Sequence, residues 1–372
     1  MRSFLSICAK AFVGSLPALF LVLVVEGILR WGGWGERCNV PLNSVFWVCD
    51  PVLGFRASPY FEQLGVKLNR LGLRGPDPTR EKRGEVQVLA LGDSCTFGIL
   101  PDPKTVLSAP YPELLARRGA ERWGEGRLQV INAGVPGYST LQALLLLRSK
   151  LRSLRPDLVT VRFGWNDHFA GGRLAQLSYR EPVSPVLLLA EDWLLTTELY
   201  AFARRLGMEL TYRNSSETAP PRPPTSWQPS VPLPEYEHYL RRLAQVARSR
   251  GAQVWFITAP DALSLPGQLA RFESLPPGAP ARRALFFNGH KSFQELLEVH
   301  EMYREATRRV AKELGVLLID AALAYQGYNP KELFDDSDVV HPLLLGHQIE
   351  AGLLLDQLVA SGSTAKKGGL NG

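Results

Sequence analysis

Four short blocks of the chain hold residue types that together suit acyl transfer. LALGDSCTFG (residues 89–98) sets Asp93, Ser94 and Cys95 side by side between two glycines. NAGVPG (132–137) and GWND (164–167) supply glycine-rich turns and an asparagine, and DSDVVHP (336–342) puts Asp338 and His341 three residues apart. A serine hydroxyl is a poor nucleophile until a base takes its proton, and histidine is the side chain suited to that at neutral pH. A carboxylate on the far ring nitrogen fixes the tautomer and steadies the imidazolium. The tetrahedral intermediate carries negative charge on oxygen, and each donor fixed in advance around it is worth ~3–4 kcal/mol. These blocks predict Ser94 as nucleophile, His341 as base and Asp338 as its carboxylate. The predicted oxyanion donors are the Ser94 and Gly137 backbone N–H groups and the Asn166 amide.

Taken singly, each block is weak. Gly-Asp-Ser is a common turn and cap sequence, and Asp-x-x-His also starts helices. Cys95 is an alternative nucleophile, but Asp93 and Ser94 supply no cation to lower its pKa, so it reads as a small buried residue. Asp93 reads as the residue that orders the turn. The other histidines, His168, His238, His290, His300 and His347, have no partner at a telling spacing and read by default as surface or core residues; for His168, just after Asn166, lining the site is the alternative.

The elements that must position these blocks are legible as runs of Val, Ile, Leu and Phe at residues 86–91, 128–133, 158–163, 253–258 and 316–320. Each reads as a buried strand. Segments with helical spacing lie between them, at 111–120, 140–154, 235–250 and 300–314. Strands alternating with helices imply right-handed crossovers and a parallel sheet covered on both faces. In such sheets functional groups gather beyond the carboxyl ends of the strands, where three of the four blocks lie; the Asp338/His341 block follows the last strand. Two stretches interrupt the rhythm: a predicted apolar helix over 186–206 with a Pro-rich segment behind it, bringing an insertion at about 171–234, and a second insertion at 262–291.

The amino terminus has a different character. After Arg2 and Lys10, residues 11–25 carry no charge, and Glu26 and Arg30 follow. With flanking residues this run reaches the ~20 residues a bilayer core requires. The expectation is an uncleaved transmembrane anchor over 1–31, favoured over a cleaved signal peptide because no small-residue cleavage site follows. The basic residues before it place the body outside the cytoplasm. Residues 32–84 then read as a juxtamembrane collar, 85–360 as the main domain and 361–372 as a frayed tail. Cys38 and Cys49 in the collar pair in an oxidising compartment or stand as two thiols. Asn214-Ser215-Ser216 matches a glycosylation acceptor, a common tripeptide of little weight.

The 372 residues are 45% hydrophobic and 21% charged, with a net charge of +6, which excludes a polytopic membrane protein and a disordered chain. Lys and Arg are scattered with no basic aromatic motif, so no nucleic-acid partner is expected. No Cys/His cluster has metal spacing, so neither metal nor cofactor is expected.

The combination of Gly-Asp-Ser, NAG..G, GxND and DxxH resembles the SGNH hydrolase superfamily, also called GDSL esterases, over about residues 85–358. The resemblance implies a flavodoxin-like α/β/α fold with strand order 2-1-3-4-5. It also implies a Ser94, Asp338, His341 triad, with Gly137, Asn166 and the Ser94 amide as oxyanion hole. DPVLGFR, LNRLGLRG and GDSCTFG further resemble bacterial membrane-anchored members. Cys95 in place of Leu after the serine and Gly-Trp-Asn-Asp in the third block are the departures. The expected activity is hydrolysis of short-chain or carbohydrate O-acyl esters through an acyl-Ser94 intermediate. O-acyl transfer to a glycan and a catalytically silent tethered module are the alternatives.

Overall fold

The computed structural model describes residues 2–35, 44–63, 65–78, 85–101, 106–169, 185–214 and 227–361, of which 2–15, 185, 211–214, 286 and 287 are followed for their backbone only. The chain divides into two compact units, residues 1–56 with 178–219 and residues 57–177 with 220–372. Helix α1 (Arg2–Gly32) is followed by strands β1 (Trp47–Asp50), β2 (Gly54–Ala57), β3 (Glu62–Gln63), β4 (Val66–Lys67) and β5 (Val86–Gly92). Next come α2 (Ser94–Phe97), α3 (Tyr111–Trp123), β6 (Leu128–Gly134), α4 (Thr140–Arg148), β7 (Leu158–Arg162), α5 (Trp165–His168), α6 (Pro185–Leu194), α7 (Glu198–Asn214) and α8 (Leu233–Ser249). The rest comprises β8 (Gln253–Ile257), α9 (Gln268–Glu273), α10 (Arg283–Asn288), α11 (Phe293–Leu314), β9 (Leu317–Ile319), α12 (Ala321–Tyr325), α13 (Pro330–Leu333) and α14 (Leu344–Ala360).

The larger unit is built on a five-stranded sheet in the order β6-β5-β7-β8-β9, every pair parallel. All seven residues of β5 and all five of β7 are buried, as expected of strands covered on both faces. Helix α3 packs with α14, while α8 packs between α4 and α11, giving the helical layers of an α/β three-layer fold. Register decides where the site sits. Gly92 pairs with Gly134 on one side and with Arg162 on the other, so β5, β6 and β7 end level and release their loops at one edge.

Several sequence expectations need correction. The helix predicted over 140–154 stops at Arg148: Ser149 leaves helical geometry at φ −101° and ψ −89°, and its hydroxyl donates back to Leu145 O at 2.6 Å. The single helix predicted over 186–206 is two. The Thr197 hydroxyl donates to Leu194 O at 2.8 Å, closing α6, and accepts from Tyr200 N at 3.3 Å, opening α7. The second insertion carries α9 and α10 and buries Phe272, Ala281 and Leu285. Helix α14 was not foreseen as an element.

The smaller unit opens with α1, the helix over which the membrane anchor was expected. Among the described residues, no helix is long and apolar enough to cross a membrane. The apolar run of α1 ends at Glu26, whose carboxylate accepts from the Glu198 and Leu199 backbone N–H groups at 3.0 and 2.9 Å and so caps α7. Arg30 pairs with Glu26 and donates to Thr196 O at 3.0 Å. Glu26 and Arg30, the charges after the apolar run, thus take part in a helix junction. Cys49 is disulfide-bonded; Cys38, the expected partner, lies outside the described residues, as do Ser215, Ser216 and residues 362–372.

Candidate active site

Strand β5 runs straight into α2 because residue 92 is glycine: a Cβ there would stand 1.9 Å from Thr96 Oγ1. Asp93 caps the turn. Its Oδ1 accepts from Cys95 N at 2.9 Å while its own backbone stays extended, and Gly98 in the left-handed region closes the four-residue helix. Ser94 is therefore the first residue of α2, held by a cap in front and packed at its back by the fully buried Cys95, Thr96 and Phe97.

The second block docks against this turn. The Asn132 amide donates to Thr96 O at 2.9 Å, its Oδ1 accepts from Gly134 N at 3.0 Å, and Val135 N donates to Gly92 O at 3.0 Å. The following turn requires φ +83° at Gly137, a conformation that suits glycine. At the end of β7, α5 carries Asn166, whose Nδ2 donates to Tyr138 O at 3.1 Å with one hydrogen and keeps the other. Asp167 makes a second link to the same loop, accepting from Thr140 N at 2.9 Å and from its hydroxyl at 2.6 Å. The Gly137 loop and the Asn166 helix are thus tied together twice.

The last block is a pinned loop. Phe334 and Pro342 form a bridge across its base, Leu343 N donates to Leu333 O at 2.7 Å, and Ala262 N donates to Val339 O at 3.0 Å. Inside it, Asp338 Oδ1 accepts from Val340 N and His341 N at 2.7 and 3.2 Å. Its other oxygen lies 2.7 Å from His341 Nδ1, and His341 Nε2 lies 2.8 Å from Ser94 Oγ. With Nδ1–H donating to the carboxylate, Nε2 is left to accept the serine proton; the network assigns this tautomer. Burial raises the Asp338 carboxyl, but the His341 hydrogen bond and the two backbone N–H groups outweigh it and hold the group below the usual carboxylate range. The arrangement can draw a proton from Ser94.

Cys95 does not suit attack. It is fully buried, its Sγ lies 3.5 Å from Val340 O, and burial pushes its thiol well above the ordinary range, with Asp93 adding to the effect. His168, a core residue rather than one lining the site, is fully buried: its Nε2 lies 3.0 Å from His300 Nδ1, and Trp165 stacks on His300 with centroids 3.9 Å apart. Burial lowers both imidazoles and keeps them neutral. His347 is buried in the same way and accepts from Tyr111 N at 3.2 Å. Sequence reasoning also missed a sealed group of charges under Ser94, in which Arg162 Nη2 donates to Glu350 Oε1 at 3.1 Å and Nη1 stands 3.9 Å from Asp93 Oδ1. Among the described residues, no group of three or more His, Cys, Asp and Glu could hold a metal.

Residues 90–349 match the sequence profile of the GDSL-like Lipase/Acylhydrolase family. Similar solved structures include a lipase/acylhydrolase from Enterococcus faecalis, 16% identical with TM-score 0.43, covering 74% of this chain and 96% of that one. An α/β hydrolase from the metagenome of Lake Arreo, Spain, is 19% identical with TM-score 0.41 over 77% and 98% of the two chains. An acetylxylan esterase from Geobacillus stearothermophilus is 17% identical with TM-score 0.42 over 75% and 96%. A search of curated proteins gives no match.

Proposed function

This chain belongs to the GDSL-like lipase/acylhydrolase family, and from that premise we propose that it cleaves carboxylic esters through an acyl-Ser94 intermediate. The observation that carries the reading is the unbroken chain from Ser94 Oγ through His341 to Asp338, at 2.8 and 2.7 Å. His341 Nε2 takes the hydroxyl proton as Ser94 Oγ bonds to the ester carbon. Asp338 keeps the imidazolium oriented, and the Ser94 and Gly137 N–H groups with the Asn166 amide receive the oxyanion. The tetrahedral intermediate collapses, the alcohol leaves with the proton from His341, and water, activated by the same imidazole, releases the acid.

The substrate class is a short acyl group on a small or carbohydrate alcohol. Support comes from the exposure of the pair: the His341 and Asp338 side chains keep 20% and 17% of their surface exposed, which suits a hydrated alcohol. Placement outside the cytoplasm is part of the reading, supported by the disulfide at Cys49.

The test is an acyl-chain-length series of p-nitrophenyl esters with and without a sugar acceptor, together with fluorophosphonate labelling mapped by mass spectrometry. The expected result is hydrolysis that falls with chain length, with the label on Ser94. A label on Cys95, or equal turnover by Ser94→Ala, overturns the assignment. Product appearing on the acceptor sugar at the expense of free acid replaces hydrolysis by acyl transfer.

A further inference from the structure

Beneath the Ser94 turn lies an arginine that the triad does not use. Arg162 closes β7 opposite Gly92, and none of its side chain is exposed. Its guanidinium sits between two carboxylates that are equally sealed, Glu350 at 3.1 Å and Asp93 at 3.9 Å. The Tyr325 hydroxyl donates to the same Glu350 oxygen at 3.0 Å. Among the described residues, Arg162 is the one cation paired with either carboxylate.

These carboxylates belong to opposite ends of the reacting pair. Asp93 caps α2, whose first residue is Ser94. Glu350 stands on α14, which starts at Leu344, directly behind the loop that presents Asp338 and His341. Ser94 and His341 are 247 residues apart in sequence. One rigid guanidinium fork therefore spans the two segments whose separation decides whether a proton can pass. Stability is a poor reason for such a group, since replacing buried ion pairs by apolar residues of similar volume is often neutral or stabilising. The buried core of this unit is otherwise made mainly of Val, Leu, Ile, Ala and aromatic side chains.

We propose that Arg162 is a positioning residue of the esterase reaction, holding Asp93 and Glu350 on one fork and so fixing the approach of Ser94 to His341. The inference deepens the esterase reading and rests on it. Lysine at this position keeps a cation but loses the fork, so it can serve one carboxylate well and not both. Displacement of a reacting group by about 1 Å is enough to cost ~100-fold in rate.

The experiment uses the full chain with Arg162→Met, Arg162→Lys and Glu350→Gln, read by p-nitrophenyl acetate kinetics, by the rate of fluorophosphonate labelling at Ser94 and by thermal unfolding. Wild-type turnover, lost in Ser94→Ala, establishes the esterase reading first; absence of both turnover and labelling in wild type removes that reading and this inference with it. With turnover established, Arg162→Met is expected to lower kcat by about 100-fold and the labelling rate in step, with KM within threefold of wild type. Arg162→Lys and Glu350→Gln are expected to lie between, at about 10-fold, lysine restoring part of what methionine loses. Wild-type kcat in the folded variants overturns the proposal. So does a loss explained by the unfolded fraction alone, or failure of all three to fold, either of which makes Arg162 a stability residue.

Discussion

Asp338 and His341 keep 17% and 20% of their side chains in contact with solvent, whereas Asp93, Arg162 and Glu350, a few ångströms beneath, keep at most 1%. Both groups are paired with a carboxylate and both bear on Ser94, yet they occupy opposite environments. In the proposed cycle His341 gains and loses a proton at every turnover. A group that changes charge needs a medium that adjusts, and the solvent edge supplies it. The lower group takes no part in the proposed proton transfer, so it can be sealed where the effective dielectric is low. The contrast shows a division between charge that moves and charge that holds.

The largest way to break this contrast is at the open end. Ser94→Ala and His341→Ala are expected to lower kcat by about 10⁴-fold or more, with the midpoint of thermal unfolding nearly unmoved; steady-state hydrolysis and calorimetry on the same samples check both halves. Wild-type turnover in either variant places the reaction elsewhere. Next is Asn166→Ala, which removes one oxyanion donor and is expected to cost about 10²–10³-fold in kcat with KM little changed.

Asp167 sharpens the comparison because it is sealed and yet titrates. It is fully buried, one carboxylate oxygen has no partner, and burial pushes it up to about 7 from 3.8. A raised carboxyl pKa means that the folded state binds the proton more tightly than the unfolded chain. Its contribution is complete below about pH 4 and is lost as pH rises to about 7. Asp167→Asn keeps an oxygen for Thr140 and removes the titration. The stability of this variant relative to wild type is expected to grow between pH 4 and 7 by up to about 4 kcal/mol, measured by denaturant unfolding across that range. A constant difference would mean that Asp167 does not change protonation there. The smallest effect is expected at Cys95→Ala: kcat within threefold of wild type and a stability loss of about 1–2 kcal/mol from the small cavity. A collapse of activity there, in folded protein, would return the cysteine to consideration.

The sequence reveals some of these features and hides others for identifiable reasons. The five strand runs were visible because a parallel strand buried on both faces reads as continuous Val, Ile and Leu. The four blocks were visible because glycine, asparagine, serine and histidine punctuate the ends of those runs or follow the last of them. Arg162 and Glu350 stayed hidden because their pairing spans 188 residues and neither sits in a turn. Helix α14 shows no clear amphipathic period because two polar residues, His347 and Glu350, lie on its buried face. Hydropathy along α1 could not reveal that Glu26 would cap α7.

Because serine and imidazole stand 247 residues apart along the chain, a ribosome finishes the first long before the second exists. At ~5–20 residues per second this interval is roughly 10–50 s. During that time the nascent polypeptide carries a Gly-Asp-Ser turn with nothing to deprotonate it. In the proposed mechanism Ser94 gains its base only when the loop that carries His341 docks beside it.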